Sequence, residues 1–124
     1  MISPLALIYY EDLIPGSQLV NRLQDLRYRV QVAATVAELL TLASGAGPML
    51  VVIDLVSRKA DLCEVIRALR AGAGTSHLPI LGFADEAEQG LATAAQAAGA
   101  TLVVADSVVL AHLPQFIERA LQVE

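Results

Sequence analysis

Three carboxylates that follow apolar runs are the residues of this sequence whose types and spacing could support chemistry. Asp54 stands near the end of the apolar run 49–55, and Glu11 and Asp12 directly follow the apolar run 5–10. Unbroken apolar runs of this length are typical of strands buried on both faces. Because a carboxylate is costly to bury inside such a strand, we expect Asp54 at the strand's carboxyl end, where ligands bind in open α/β sheets.

These carboxylates have two kinds of interpretation. Carboxylate oxygens are the ligands that Mg²⁺ prefers, so Glu11, Asp12 and Asp54 are candidates for a metal site. Alternatively, Asp54 is only a solvated strand end, and Glu11 and Asp12 cap the first helix from the loop that precedes it. The choice depends on the elements that position them.

Five segments with strand patterns alternate with five segments with helical patterns. Strands are predicted at residues 5–10, 29–33, 49–55, 77–83 and 101–105. Helices are predicted to begin near Pro15, at a capping box formed by Thr35 and Glu38, after Asp61, at Asp85, and, beyond a linker, near Pro114. Strict alternation predicts parallel strands with right-handed crossovers, and therefore an α/β sandwich of three layers.

The hydrophobic patterns also predict the order of the strands. The segment 29–33 alternates polar and apolar residues, which suits an edge strand, whereas the other four strands are apolar throughout. The order 2-1-3-4-5 satisfies this pattern and places the switch point between strands one and three. Glu11, Asp12 and Asp54 are then expected to converge at one crevice.

Composition excludes several classes of function. The 124 residues are most simply one domain (1–124), with 56% hydrophobic residues and a net charge of −5. Lys59 is the only lysine and aromatic residues are few, which argues against a nucleic-acid partner. No apolar segment approaches the roughly 18–20 residues of a membrane span, and the start lacks the basic region of a secretory signal. The single cysteine, Cys63, favours a cytoplasmic location.

The chain resembles the receiver domain of bacterial response regulators over its whole length. The resemblance rests on the acid pair after strand one, on residues 52–54 in the third strand, and on residues 76–81 before the fourth. It implies a flavodoxin-like (βα)5 fold and phosphotransfer from a histidine kinase to Asp54, assisted by Mg²⁺ at Glu11, Asp12 and Asp54. It also implies a signalling module of a two-component or phosphorelay system rather than an enzyme, with a histidine kinase or an output protein as its partner.

The sequence departs from the family pattern at the positions that neutralise the phosphoryl group. Ala84 falls where the family has a hydroxyl residue and Ala105 where it has a lysine, and alignment without a gap would place the acid pair at Tyr10 and Glu11. A charge-assisted hydrogen bond contributes about 1.5–3 kcal/mol, so losing two removes about 100-fold or more of phosphoryl stabilisation. Arg58 and Lys59, in the loop after Asp54, are the basic residues that could substitute for the missing lysine. We therefore predict an atypical, pseudo-receiver module in which phosphorylation of Asp54 is weak or absent.

The last two helices and strand five form a face on which members of this family usually dimerise or meet partners. Here it is more apolar than a linker requires, through Leu102, Val108, Val109, Leu110 and Leu113. These residues are either extra core or a constitutive interface, including one between two copies of the chain. We favour the interface because an apolar linker is poorly accommodated in water.

A second function, from a different class, is a small flavodoxin-like domain that binds a nucleotide or a flavin. The loop 11–16 argues against it, because two carboxylates there would repel phosphate. A further interpretation is that these residues are one domain of a longer regulator.

Overall fold

Strands and helices alternate along the chain, as the computed structural model shows for residues 4–11, 13–57 and 61–122. The strands are β1 (Leu5–Tyr9), β2 (Arg29–Ala33), β3 (Leu50–Asp54), β4 (Ile80–Ala84) and β5 (Leu102–Ala105). The helices are α1 (Leu13–Asp25), α2 (Val36–Gly45), α3 (Leu62–Ala71), α4 (Gln89–Ala98), α5 (Asp106–Val109) and α6 (Leu113–Gln122).

All four pairings in the sheet are parallel, and the strand order is β2-β1-β3-β4-β5. The predicted order and the flavodoxin-like architecture are thus confirmed. Strands β1, β3 and β4 are buried along their whole length, whereas β2 is largely exposed at the edge. The register places Tyr9 beside Ile53, and Asp54 beside Phe83.

The hydrophobic core forms two layers, one on each face of the sheet. Successive strand residues point to opposite faces, so Leu7 and Val51 join one layer while Ile8 and Val52 join the other. The first layer packs against α2, α3 and α4, and the second against α1 and α6. Within the described residues, no helix combines the length and the apolar character needed to cross a bilayer.

Two helices begin with the side-chain caps that their sequences predict. The Thr35 hydroxyl accepts a hydrogen bond from the amide of Glu38 (3.0 Å), and the Glu38 carboxylate accepts one from the amide of Ala34 (3.0 Å). At the start of α3, the Asp61 carboxylate accepts a hydrogen bond from the amide of Cys63 (3.0 Å). Each cap satisfies a backbone donor that the first helical turn leaves unpaired.

Three predicted boundaries differ from the structure for local reasons. The fourth strand begins at Ile80, because residues 73–77 form turns in which the buried Thr75 hydroxyl donates to the carbonyl of Leu69 (2.6 Å). Helix α4 begins at Gln89, because the Asp85 carboxylate accepts from the amide of Ala87 (2.8 Å) and forms a turn first. The segment after β5, predicted to be a linker, contains the short helix α5.

The fully buried side chains of helix α4 are small. Only Ala95 and Ala98 are buried, and the residue at its N-cap, Glu88, makes no capping hydrogen bond with its side chain. The helix ends at Gly99, whose φ of 123° lies in a region that residues with a side chain rarely adopt.

Arg70 joins three segments at the amino-terminal edge of the sheet, opposite the end that carries Asp54. Its Nε donates to the carbonyl of Gly99 (2.7 Å). Its Nη1 donates to the carbonyls of Ser76 (2.8 Å) and Leu78 (2.7 Å), and its Nη2 donates to the hydroxyl of Thr101 (3.0 Å). The guanidinium thereby connects the end of α3 to the segments that lead into β4 and β5.

Candidate functional site

Asp54 is the last residue of β3, as its place in the sequence predicted, and only 5% of its surface is exposed. It is therefore a buried carboxylate, and the interpretation of Asp54 as a solvated strand end is wrong. Its Oδ1 accepts a hydrogen bond from the amide of Val56 (3.1 Å), in the loop that follows. Hydrogen bonds of this kind offset part of the cost of removing a carboxylate from water.

Glu11 lies just beyond β1 and accepts hydrogen bonds from two hydroxyl groups. The Tyr9 hydroxyl donates to Oε2 of Glu11 (2.8 Å), and the Ser57 hydroxyl donates to the same oxygen. Tyr9 and Glu11 are two residues apart in extended chain, so their side chains lie on the same side of the sheet. Asp12, the other acidic residue predicted here, lies outside the described residues.

The Tyr9 phenol lies close enough to both Glu11 and Asp54 for each carboxylate to affect its pKa. Its side chain is almost fully buried, and burial is the main reason why the pKa of the Tyr9 phenol is raised above its ordinary value. The hydrogen bond to Glu11 and the negative charge of the Glu11 carboxylate raise this pKa further. The charge of Asp54 raises it by a smaller amount, whereas a hydrogen bond with the Ser57 hydroxyl lowers it. The carboxylates after β1 and β3 thus act on a single phenol.

The residue that an alignment without a gap places at the first acidic position, Tyr10, serves packing instead. Its ring is half-buried against the core layer that includes α1. A Cβ atom added to Gly16 would lie 2.0 Å from Cδ1 of Tyr10, so the ring rests directly on the backbone of α1. An aromatic ring occupies this position, and it supplies no carboxylate to the site.

The other half of the site is a cleft of about 410 Å³ at the ends of β3, β4 and β5. Among the described residues, its lining consists of Asp54, Val56, Phe83, Asp85, Ala87, Glu88 and Asp106. Four of these seven carry a carboxylate and none carries a basic group. The described part of the lining is therefore acidic, the opposite of what a phosphoryl group requires.

Two alanines stand side by side next to this cleft. Ala84 ends β4, Ala105 ends β5, and the two are partners in the register of the sheet. They also line a neighbouring cavity of about 270 Å³ against α4. Neither side chain has a polar atom, so the side chains at these positions offer a phosphoryl group no donor.

Among the described residues, Glu11 and Asp54 are the predicted magnesium ligands at this end of the sheet. This ion needs nearly octahedral oxygen coordination, usually with one or two carboxylates. Within the described part of the chain, no group of three acidic, histidine or cysteine side chains is arranged to hold a metal. Oε2 of Glu11 is already bound by the hydroxyls of Tyr9 and Ser57.

The structure corrects the prediction for two residues of the apolar face. Val109 and Leu113 are fully buried within the chain's own core, because α5 and the start of α6 turn them toward β4. Leu102 and Leu110 are half-buried against the same layer, and Val108 is 38% exposed. Extra core explains the first two residues, and Val108 is the member of this set that a partner could reach most readily.

Sequence reasoning missed Tyr9 and Ser57. In the sequence, Tyr9 is not distinguished from the other apolar residues of a buried strand. Ser57 was missed because its hydrogen-bond partner, Glu11, is 46 positions away. The spacing of Tyr9 and Glu11 was the only available signal, since residues two apart in a strand share a face.

The chain was compared with known proteins and structures. No protein-family model and no curated protein matches it. Solved structures do match: the chemotaxis response regulator CheY4 of Vibrio cholerae is 22% identical with a TM-score of 0.84, and the match covers 96% of this chain and 99% of that one. A CheY-like receiver domain protein of Methanospirillum hungatei is 18% identical with a TM-score of 0.83, covering 97% and 94% of the two chains.

A third structure is the receiver domain of a sensor histidine kinase from Pseudomonas aeruginosa, described with a magnesium ion coordinated in its active site cleft. It is 20% identical, with a TM-score of 0.87, and the match covers 98% of this chain and all of the other. At these identities the likeness defines the fold: the chain has the fold of response-regulator receiver domains.

Proposed function

We propose that this chain is an atypical receiver module in two-component signalling, which acts by protein–protein contact with weak or absent phosphorylation at Asp54. The observation that carries the proposal is a buried aspartate at the switch point of a receiver fold, beside a cleft lined by carboxylates. The proposal is supported by the position of Asp54 at the carboxyl end of β3, and by Ala84 and Ala105, whose side chains carry no hydrogen-bond donor.

Charge explains why phosphorylation is expected to be weak. A phosphoryl group adds a charge of about −1.5 to −2. In this cleft it would meet Asp85, Glu88 and Asp106, and no basic residue is among the described residues that line it. Two missing charge-assisted hydrogen bonds correspond to about 100-fold or more in the rate or equilibrium of phosphorylation.

In this proposal, Mg²⁺ binds only weakly to the module. Glu11 and Asp54 are the described carboxylates that would hold the ion, together with Asp12 if its side chain is directed the same way. Magnesium would neutralise charge on a bound phosphoryl group. We expect weak binding, because a cation would compete with two hydroxyl donors for Glu11.

The partner we infer is a histidine kinase or an output protein, or a second copy of the chain bound through α4, β5 and α6. A net charge of −5 opposes binding to nucleic acid. We place the module in the cytoplasm, where its single cysteine, Cys63, stays reduced. The alternative nucleotide or flavin domain is disfavoured, because the acidic cleft would repel phosphate.

The test is phosphorylation with acetyl phosphate and Mg²⁺, followed by intact mass. We expect little or no phosphoryl adduct on the natural chain, and a gain of about 100-fold in adduct when A84T and A105K restore a hydroxyl and a lysine. Asp54→Asn in the restored background is the matched control and removes the adduct. A nearly complete adduct on the natural chain that Asp54→Asn abolishes would overturn the pseudo-receiver proposal.

A further inference from the structure

We propose that the hydrogen-bond network of Tyr9, Glu11 and Ser57 takes the place of a divalent cation at the ends of β1 and β3. In this arrangement two neutral hydroxyls hold the Glu11 carboxylate and fix residues 55–57, the start of the segment after Asp54, so these three residues keep one conformation without metal. The inference depends on the proposed function only in treating the cleft beside Asp54 as the site.

Each of the three residues after Asp54 is anchored to a different strand. The amide of Leu55 donates to the carbonyl of Phe83 in β4 (3.0 Å), and the amide of Val56 donates to Asp54 in β3 (3.1 Å). The Ser57 hydroxyl donates to Glu11, next to β1. The start of this loop is thus held across three neighbouring strands by the chain's own groups.

The side chain of Leu55 adds a steric anchor to these hydrogen bonds. Leu55 is buried over Gly82, where an added Cβ would lie 3.0 Å from its Cδ1 atom. The absence of a side chain at Gly82 therefore gives Leu55 its space in the core. Backbone and side-chain contacts hold the same short segment.

Tyr9 preorganises the network because its ring cannot move freely. The ring belongs to the core layer shared with α2, α3 and α4, and 2% of the residue is exposed. The phenol therefore presents its hydroxyl to Glu11 at a fixed place (2.8 Å). Because packing already holds the Tyr9 hydroxyl in place, little entropy is lost when it forms its hydrogen bond to Glu11.

A cation that coordinates Oε2 of Glu11 must displace these donors. A hydrogen bond to a charged group is equivalent to about tenfold or more in an equilibrium constant. Water replaces part of each lost hydrogen bond, so we expect removal of the two hydroxyls to strengthen the binding of Mg²⁺ by about 10- to 100-fold, and also to release residues 55–57 when no metal is present.

The experiment is a titration with Mg²⁺ followed by calorimetry and by the amide NMR signals of Val56 and Ser57. The variants are Tyr9→Phe, Ser57→Ala and their combination, which keep the Tyr9 ring and the strand in place. Tyr10→Phe and Ser107→Ala are the matched controls, each removing a hydroxyl outside the network. Far-UV circular dichroism and thermal unfolding verify that every variant is folded.

We expect the double variant to bind Mg²⁺ about 10- to 100-fold more tightly than the natural chain, with faster hydrogen exchange at residues 56–57 when no metal is added. Equal affinities in the natural chain and the double variant would overturn the proposal, and so would unchanged exchange in the loop. Phosphorylation of Asp54 is measured separately, so an efficient phosphoacceptor would refute the proposed function without deciding this result.

Discussion

Arg70 offers the sharpest test of how the amino-terminal edge of the sheet is held together. Its guanidinium donates four hydrogen bonds, three to backbone carbonyls and one to the hydroxyl of Thr101. The side chain is partly buried, and burial lowers the pKa of Arg70 below its ordinary value. Arg70→Ala removes all four donors at once, and it leaves the carbonyls that converge on the guanidinium without their partners.

The size of the effect follows from counting these bonds and then discounting for water. Hydrogen bonds to a charged group contribute about 1.5–3 kcal/mol each, so four independent bonds would sum to about 6 kcal/mol or more. The vacated space opens to solvent, and water can rebind the carbonyls at modest entropic cost. We therefore expect Arg70→Ala to lower the free energy of unfolding by about 2–4 kcal/mol. Arg70→Lys should cost about half of this, because one ammonium cannot reach partners spread around a planar fork.

Arg67, one turn earlier on the same helix, provides the matched control. It pairs only with Glu64 (2.6 Å), and the two side chains are 52% and 69% exposed. Exposed pairs of this kind contribute little, so Arg67→Ala should change the stability by less than about 0.5 kcal/mol. Unfolding in urea, followed by far-UV circular dichroism, measures both variants without adding salt. If Arg70→Ala loses no more stability than Arg67→Ala, the guanidinium does not connect these segments as described.

Two further predictions concern the end of the sheet that carries the site. Gly82→Ala should lower the free energy of unfolding by about 1–2 kcal/mol, because its Cβ would lie 3.0 Å from Cδ1 of Leu55. Adding Leu55→Val to the same chain should recover part of this loss, as measured by urea unfolding. If the losses from the two substitutions simply add, the two residues are not in contact. Stability should also fall as the pH rises above about 10, because burial raises the pKa of Tyr9 and the unfolded chain therefore releases its phenolic proton first. Tyr9→Phe should flatten this decline between about pH 9 and pH 11, and the urea midpoint measured at each pH tests this. If the midpoint falls with pH as steeply in Tyr9→Phe as in the natural chain, Tyr9 is not the residue responsible.

Much of the fold follows from patterns that are local in the sequence. Asp61 caps α3 because its carboxylate reaches an amide two residues away, and residues 29–33 form an edge strand because polar residues alternate with apolar ones. Boundaries that depend on distant partners are predicted less well. The start of β4 is displaced by turns that Thr75 and Arg70 stabilise, and α5 has only four residues, too few for a helical period to be visible.

In the candidate site too, features that depend on local sequence could be predicted, and features that depend on distant partners could not. The position of Asp54 follows from where an apolar run ends, and its burial follows from the neighbouring strands. The Ser57 hydroxyl could not be predicted as a donor to Glu11, because the two residues are 46 positions apart in the sequence. Val109 and Leu113 were assigned to an interface because hydrophobicity alone does not distinguish a core from a contact surface.

The anchoring of α4 has a consequence for the way this module can move. Because its fully buried residues are two alanines and it begins without a side-chain cap, we expect α4 to open locally at a lower free energy than the strands it covers. It can open and reclose while the rest of the sheet stays folded. Arg70 binds the C-cap residue of this helix, Gly99, so one anchor of α4 lies at the end of the sheet opposite Asp54.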